Sequence, residues 1–429
     1  MIGLIVTSII DVSIVKINDL IDKYFIPMQG KLILFTITSS VCLILQFYLV
    51  RYIHVSFQRH RPNSTLKVKV IYAVSLLSLG VLTVLVGSLI FQQFYNNYYN
   101  TLFTIIIIAL SYGTAAGFVI WLSLLFLSWY TTRHDMIVLF YFISMSVIAF
   151  NLIMTAAFTT MKLNDRPQLA SEFVGSSGDI SGGKHKLLDN IYRISLFMSF
   201  FSIWITTAIL MNYYREKLIN VITYWVILSI PLVYFIITYF YQYILGNLLS
   251  SFLEIDPVSV SIILGAFLAL SKPIGGILFG VVFWNMSRLL GYEIHIKTYM
   301  IISGWGILLI FSSNQAATQI VSPYPPFGLV TIMVLVSASY LMLLGIYNSA
   351  TLVSVNNQLR RSIHKHVLKL LSPIGRAEME REIQKTVVKI SEDKEIGEIS
   401  NQESIEFDKN ELQKYLKQVI EFKREHPSK

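Results

Sequence analysis

Charge is what this sequence has least of. Only 14% of its 429 residues are charged and 54% are hydrophobic, with a mean hydropathy of +0.61. Soluble domains carry about 25% charged residues, so a soluble globular domain and a nucleic-acid-binding surface are both excluded. There is one cysteine, Cys42, inside an apolar run, which rules out an intramolecular disulfide and a thiolate metal cluster. The opening "MIGLIVTSIIDVSIVKINDL" lacks the basic region and small-residue cleavage site of a signal peptide. It reads instead as an amphipathic helix at the membrane interface, with a short extra span as the alternative. No nucleophile–base pair, metal-ligand cluster or glycine-rich phosphate loop is present in the pattern. We therefore expect no conventional enzyme, no metal and no cofactor.

What the chain does have is long apolar runs. A span needs about 20 such residues, and nine segments qualify: 32–53, 70–91, 101–130, 136–161, 191–213, 218–245, 258–286, 298–318 and 327–348. All 25 Asp and Glu residues lie outside them. The expected fold class is all-α, a polytopic integral membrane helix bundle of nine transmembrane helices with a short helical cytoplasmic tail, and its first partner is the lipid bilayer. One set of loops and span ends holds Arg51, Arg59, Arg61, Lys67, Lys69, Arg133, Arg215, Lys217, Arg288 and Lys297. The alternate short loops, among them "SSNQAATQIVSPYPPFG", hold no Lys or Arg. The excess of basic residues on one side puts the N-terminus outside and the C-terminus inside a cytoplasmic membrane. In that last loop Pro325 and Pro326 suit the first turn of the ninth helix. The loop reads as an interfacial turn or as a lid over an outward-facing cavity, with Asn314, Gln315 and Gln319 its only polar-ligand candidates.

Lys272, in "GAFLALSKPIGGILFG", breaks this pattern. It lies at the midpoint of 258–286. From there about 21 Å of helix separates it from either end, against a hydrocarbon half-thickness of about 15 Å. A lysine at that depth costs roughly 2.5–3.5 kcal/mol, which makes it a functional candidate. Pro273 frees the carbonyl of Ala269, and Gly275 and Gly276 permit close backbone approach. Helices broken in mid-membrane form the sites of many transporters. No span carries a carboxylate to pair with Lys272, so it must be neutral, or solvated by water, hydroxyls, Asn151 or carbonyls. The competing reading is a kinked interior helix whose lysine bonds carbonyls across the bundle. Lys272, Pro273 and Asn151 are the candidate ligand or ion-pathway residues. Asn151 also suits a hydrogen bond between helices, Pro231 a kink in the sixth span, and "SYGTAAG" close helix packing.

The chain divides into an N-terminal interfacial or extracytoplasmic helix (1–31), the nine-span bundle (32–348), basic juxtamembrane helices (349–390), and an acidic linker with a short terminal helix (391–429). From 355 to 390 there are eight Lys or Arg against three Glu. Arg360, Arg361, Lys365 and Lys369 are candidates for contact with anionic lipid headgroups at the inner face. Val355, Leu359, Ile363 and Val367 form an apolar seam that suits a second copy of the chain or a cytoplasmic partner.

At "SPYPPFG", "LLGIYNSA", "LRRSIHK" and "SPIGRAEMEREIQKTV", residues 300–390 resemble a family of uncharacterised multi-spanning membrane proteins of ammonia-oxidising archaea. The resemblance implies a polytopic protein of the cytoplasmic membrane and supplies neither substrate nor catalytic residues. The first functional reading is a membrane sensor or signalling adaptor working through its tail. The second is a secondary transporter or channel with its site around Lys272, and the third a structural or assembly subunit.

Overall fold

The computed structural model describes residues 1–11, 28–60, 66–96, 98–164, 186–218, 221–240, 257–290, 294–314, 325–355 and 370–397. The described residues form helices and no strands. After the short α1 (Ile2–Asp11) come α2 (Met28–His60), α3 (Leu66–Asn96), α4 (Thr101–Arg133), α5 (Met136–Asn164), α6 (Lys186–Leu218) and α7 (Val221–Tyr239). Then follow α8 (Pro257–Leu289), α9 (Ile294–Ser313), α10 (Leu329–Val355) and α11 (Leu371–Gly397). Eight of these are long and apolar enough to cross a membrane. The 33-residue α8 carries Lys272 in its middle. The protein is an all-α polytopic bundle. We call the end where α2 begins the upper end and the end where α2 finishes the lower one.

Local sequence sets the turns. Asn100 caps α4 by accepting from the Leu102 N–H, and His134 closes it in the left-handed region at φ 49°. Asp135 then accepts from the Ile137 N–H at 2.9 Å and opens α5. Outward-facing residues such as Ile44, Leu77, Val84 and Phe91 are apolar and exposed, as a lipid-facing surface requires. In "SYGTAAG" the packed side is Ser111, Tyr112, Ala115 and Ala116. Gly113 and Gly117 are exposed, and a Cβ on either would meet nothing within 4 Å. The glycines of that run therefore face outward and mediate no close approach.

The axis of the bundle is α10. Its apolar window is 100% buried, against 22–67% for the other seven spans, because α9, α4, α2, α3 and α11 surround it. A helix apolar on every side has that one stable place. Gly306 of α9 lies against the backbone of Met342, and Gly345 of α10 against Ser303 and the Tyr299 carbonyl; side chains at these points would force the two helices apart.

The first turn of α10 is capped by another helix. The Asp11 carboxylate, fully buried at the end of α1, accepts from the Gly328 N–H (2.8 Å), the Thr331 N–H (2.9 Å) and the Thr331 hydroxyl (2.8 Å). Those donors belong to the helix start, where no intrahelical acceptor exists. Phe327 packs edge-on against Phe35 of α2 beside this cap.

At the lower end α11 folds back on the bundle. Leu370, Leu371, Ile374, Ala377 and Met379 are buried, and Gly375 lies against Val353 of α10. Glu378, 1% exposed, accepts from the Trp129 indole at 2.8 Å, and Glu380 from Arg133 Nε at 3.0 Å. Val355 is exposed at the end of α10. Leu359, Ile363 and Val367 of the seam lie outside the described residues, as do Arg360, Arg361, Lys365, Lys369 and the loop residues 315–324.

Asp11→Ala should cost about 1–2 kcal/mol of stability, measured by thermal unfolding in detergent. Burial pushes the Asp11 carboxyl from the ordinary 3.8 up to about 6, over the opposing pull of its donors. A folded value above the unfolded one means that its contribution is greatest below the unfolded value and is lost as pH rises through the folded one. Asp11→Asn should abolish that pH dependence.

Candidate functional site

Glycines bring α8 and α9 together. Gly280 and Gly304 face each other so closely that a Cβ on either would lie within 3 Å of the other's carbonyl oxygen, and Gly276 lies against the Leu308 carbonyl. The pairing is antiparallel with these residues in register. One more helical turn along α8 from Gly276 is Lys272, and one more turn along α9 from Leu308 is the end of that helix. The sequence spacing alone, once the glycines pair, sets the lysine beside the terminus of α9.

There the Lys272 ammonium donates to the Asn314 carbonyl at 2.6 Å. Asn314 follows Ser313, the last residue of α9, and its own N–H still bonds the Ile310 carbonyl at 3.0 Å. The carbonyl end of a helix carries roughly half a negative charge, so the lysine has a counter-charge without a carboxylate. The acceptor is a carbonyl across the bundle, at the end of α9, and not the Ala269 carbonyl that Pro273 frees within α8. Pro273 sits inside α8, next to Lys272.

The Asn314 side chain extends the site to three more helices. Its Nδ2 donates to Asn151 Oδ1 of α5 at 2.8 Å, and its Oδ1 accepts from the Tyr112 hydroxyl of α4 at 3.2 Å. Asn151 Nδ2 donates to Ser195 Oγ of α6 at 3.0 Å, and Ser195 donates to the Tyr192 carbonyl at 2.8 Å. Thr155, one turn along α5, donates to the Asn151 carbonyl at 2.7 Å. Tyr112, Asn151, Ser195 and Asn314 are all buried, and Lys272 is partly so. Ser111 Oγ and Ser313 Oγ, each next in sequence to a member of the network, are buried without a hydrogen-bond partner.

Below the network the bundle is aromatic. Phe200 of α6 stacks on Phe235 of α7 at 3.9 Å, and Phe279 of α8 packs on Phe311 of α9 at 4.9 Å. Phe200 also meets Phe279 and Phe311 edge-on. Its ring fits because residue 275 is glycine, where a Cβ would collide with it. Polar groups above and a phenyl layer beneath make an asymmetric centre.

The structure thus joins two of the residues singled out in the sequence, Lys272 and Asn151, through a third, Asn314. Tyr112 and Ser195 were not singled out, since a tyrosine in an apolar run reads as packing and one serine resembles any other. Their signal is positional: each faces the interior at the depth of Asn314. Among the described residues no group of His, Cys, Asp or Glu is arranged to hold a metal ion. The network holds one cation with neutral amides and hydroxyls, which suits binding. Comparison with protein-family models, curated proteins and solved structures finds no match, so the site is read from its own geometry.

Asn151→Ala and Tyr112→Phe should each destabilise the bundle by about 0.6–1.7 kcal/mol, the range of polar contacts between membrane helices. Because both act through Asn314, the double variant should lose less than the sum. Unfolding titrations of the four proteins would measure this, and strict additivity would break the proposed chain.

Proposed function

We propose that the chain is a membrane transport protein, a secondary transporter or channel, with its site at the junction of Lys272, Asn314 and Asn151. The observation that carries this reading is the position of a helix end. From Ile294 to Ser313 α9 rises about 28 Å, and α8 rises about 26 Å from Lys272 to its lower end. The end of α9 therefore meets α8 near its middle, where a partly buried cation and polar groups from three other helices converge. Helix ends that meet polar side chains inside a bundle are where transporters hold charged substrates. The phenyl layer beneath supplies a closure on one side.

The lower end faces the cytoplasm in this reading, since Arg51, Lys67, Lys69, Arg133, Arg288 and Lys297 all lie toward it. The membrane is the cytoplasmic one, and Arg360, Arg361, Lys365 and Lys369 meet anionic headgroups at its inner face. The docking of α11 on α4 and α10 makes residues 371–380 part of the transport body.

A second reading, the membrane sensor, is favoured by one helix. α4 carries Tyr112 in the network and Trp129 and Arg133 at the contact with Glu378 and Glu380. A ligand that moves Tyr112 would act on α11 through a rigid rod about 26–32 Å long.

Cysteine accessibility separates the two readings. In a Cys42→Ser background, Ser313→Cys should react with a membrane-impermeant maleimide in both right-side-out and inside-out vesicles. Reaction from one side only would support the sensor and overturn transport. For the sensor, Tyr112→Phe should raise the rate of proteolysis within α11, and an unchanged rate removes that reading.

A further inference from the structure

We infer that the Lys272 junction binds a small monovalent metal cation in exchange for the lysine's proton. This inference rests on the transport reading and names its substrate class. The Lys272 ammonium is itself a tethered cation seated at the negative end of α9, on the Asn314 carbonyl. No carboxylate pairs with it among the described residues. Its acceptor is the Asn314 carbonyl, and the hydroxyls of Ser313 and Ser111, next in sequence to Asn314 and Tyr112, are buried without a partner. Carbonyl and hydroxyl oxygens are the ligands of hard cations.

The helix end opposes the other choice. The Tyr112 hydroxyl proton and one N–H each of the Asn314 and Asn151 amides are already given to neighbours within the network, and an anion would face the negative end of α9. A divalent ion would call for carboxylates, and none lies at the junction among the described residues. A monovalent ion carries the same charge as the ammonium and takes its place on the Asn314 carbonyl.

Two positive charges side by side are unfavourable in so dry a place, so entry of the ion requires loss of the lysine's proton. The step balances: the ammonium's N–H bond breaks, its electron pair stays on nitrogen, the proton passes to water at the upper face, and the metal ion takes the carbonyl oxygen. The site carries one positive charge before and after. Removal of the ion lets the amine regain a proton and return to the Asn314 carbonyl. A phenyl layer below, at Phe200, Phe235, Phe279 and Phe311, keeps hydrated ions from passing without the exchange.

The test is thermal unfolding of the full chain in nanodiscs, titrated with NaCl or KCl against choline chloride at equal ionic strength. The half-saturating concentration of at least one ion should fall about tenfold per unit rise in pH, because one proton leaves for each ion bound. Lys272→Met removes the competitor, and its binding should be independent of pH. Lys272→Arg keeps a cation that does not deprotonate and should abolish binding. Equal stabilisation by choline overturns the inference, as does pH dependence that survives in Lys272→Met or binding that survives in Lys272→Arg. If Ser313→Cys is labelled from both faces while neither ion binds, the cation falls and transport stands.

Discussion

A primary ammonium inside a helix bundle must find an acceptor, and in this protein it finds the end of another helix. The hydrogen bond from Lys272 to the Asn314 carbonyl answers two problems at once. It gives the charge a partner in the negative end of α9, and it gives that buried end a donor where water is scarce. The glycine seam of Gly276, Gly280 and Gly304 exists at the distance this contact requires. The phenyl layer and the Asn314–Asn151–Ser195 chain then extend from the same point across α5, α6 and α7.

The other end groups follow the same rule. α10 is enclosed along its length, so the donors at its start cannot reach water, and Asp11 arrives from α1 to accept them. At the lower end Glu378 is buried against Trp129, and Glu380 pairs with Arg133. Each carboxylate thus ties an element outside the spans, α1 or α11, to a helix of the bundle. Apolar packing alone discriminates poorly between helix partners in lipid, whose tails are as apolar as the side chains. These few polar contacts fix the relative positions of helices that would otherwise slide.

The elements were legible in the sequence because their cause is local. An apolar run of span length must be a helix, and 136–161 became Met136–Asn164 while 101–130 became Thr101–Arg133. Lys272 and Asn151 stood out for the same reason, each a polar residue in an apolar run. Their connection was not legible, because it depends on the register of α8 against α9 and on an asparagine just past a span end. "SYGTAAG" misled on its glycines and concealed Tyr112, since composition shows small residues without showing which side of the helix they face. Asp11 sat in plain view as a lone acid among apolar residues, but its role appears only once α1 meets the start of α10.

The central claim is the contact between the Lys272 ammonium and the carbonyl of Asn314. Solid-state NMR on the reconstituted chain, with Lys Nζ labelled by nitrogen-15 and Asn carbonyl carbons by carbon-13, measures it through their dipolar coupling. A hydrogen bond of 2.6 Å from nitrogen to oxygen predicts a strong coupling that vanishes in Lys272→Met. A wild-type spectrum without that coupling, or a coupling that persists in the variant, would contradict the account.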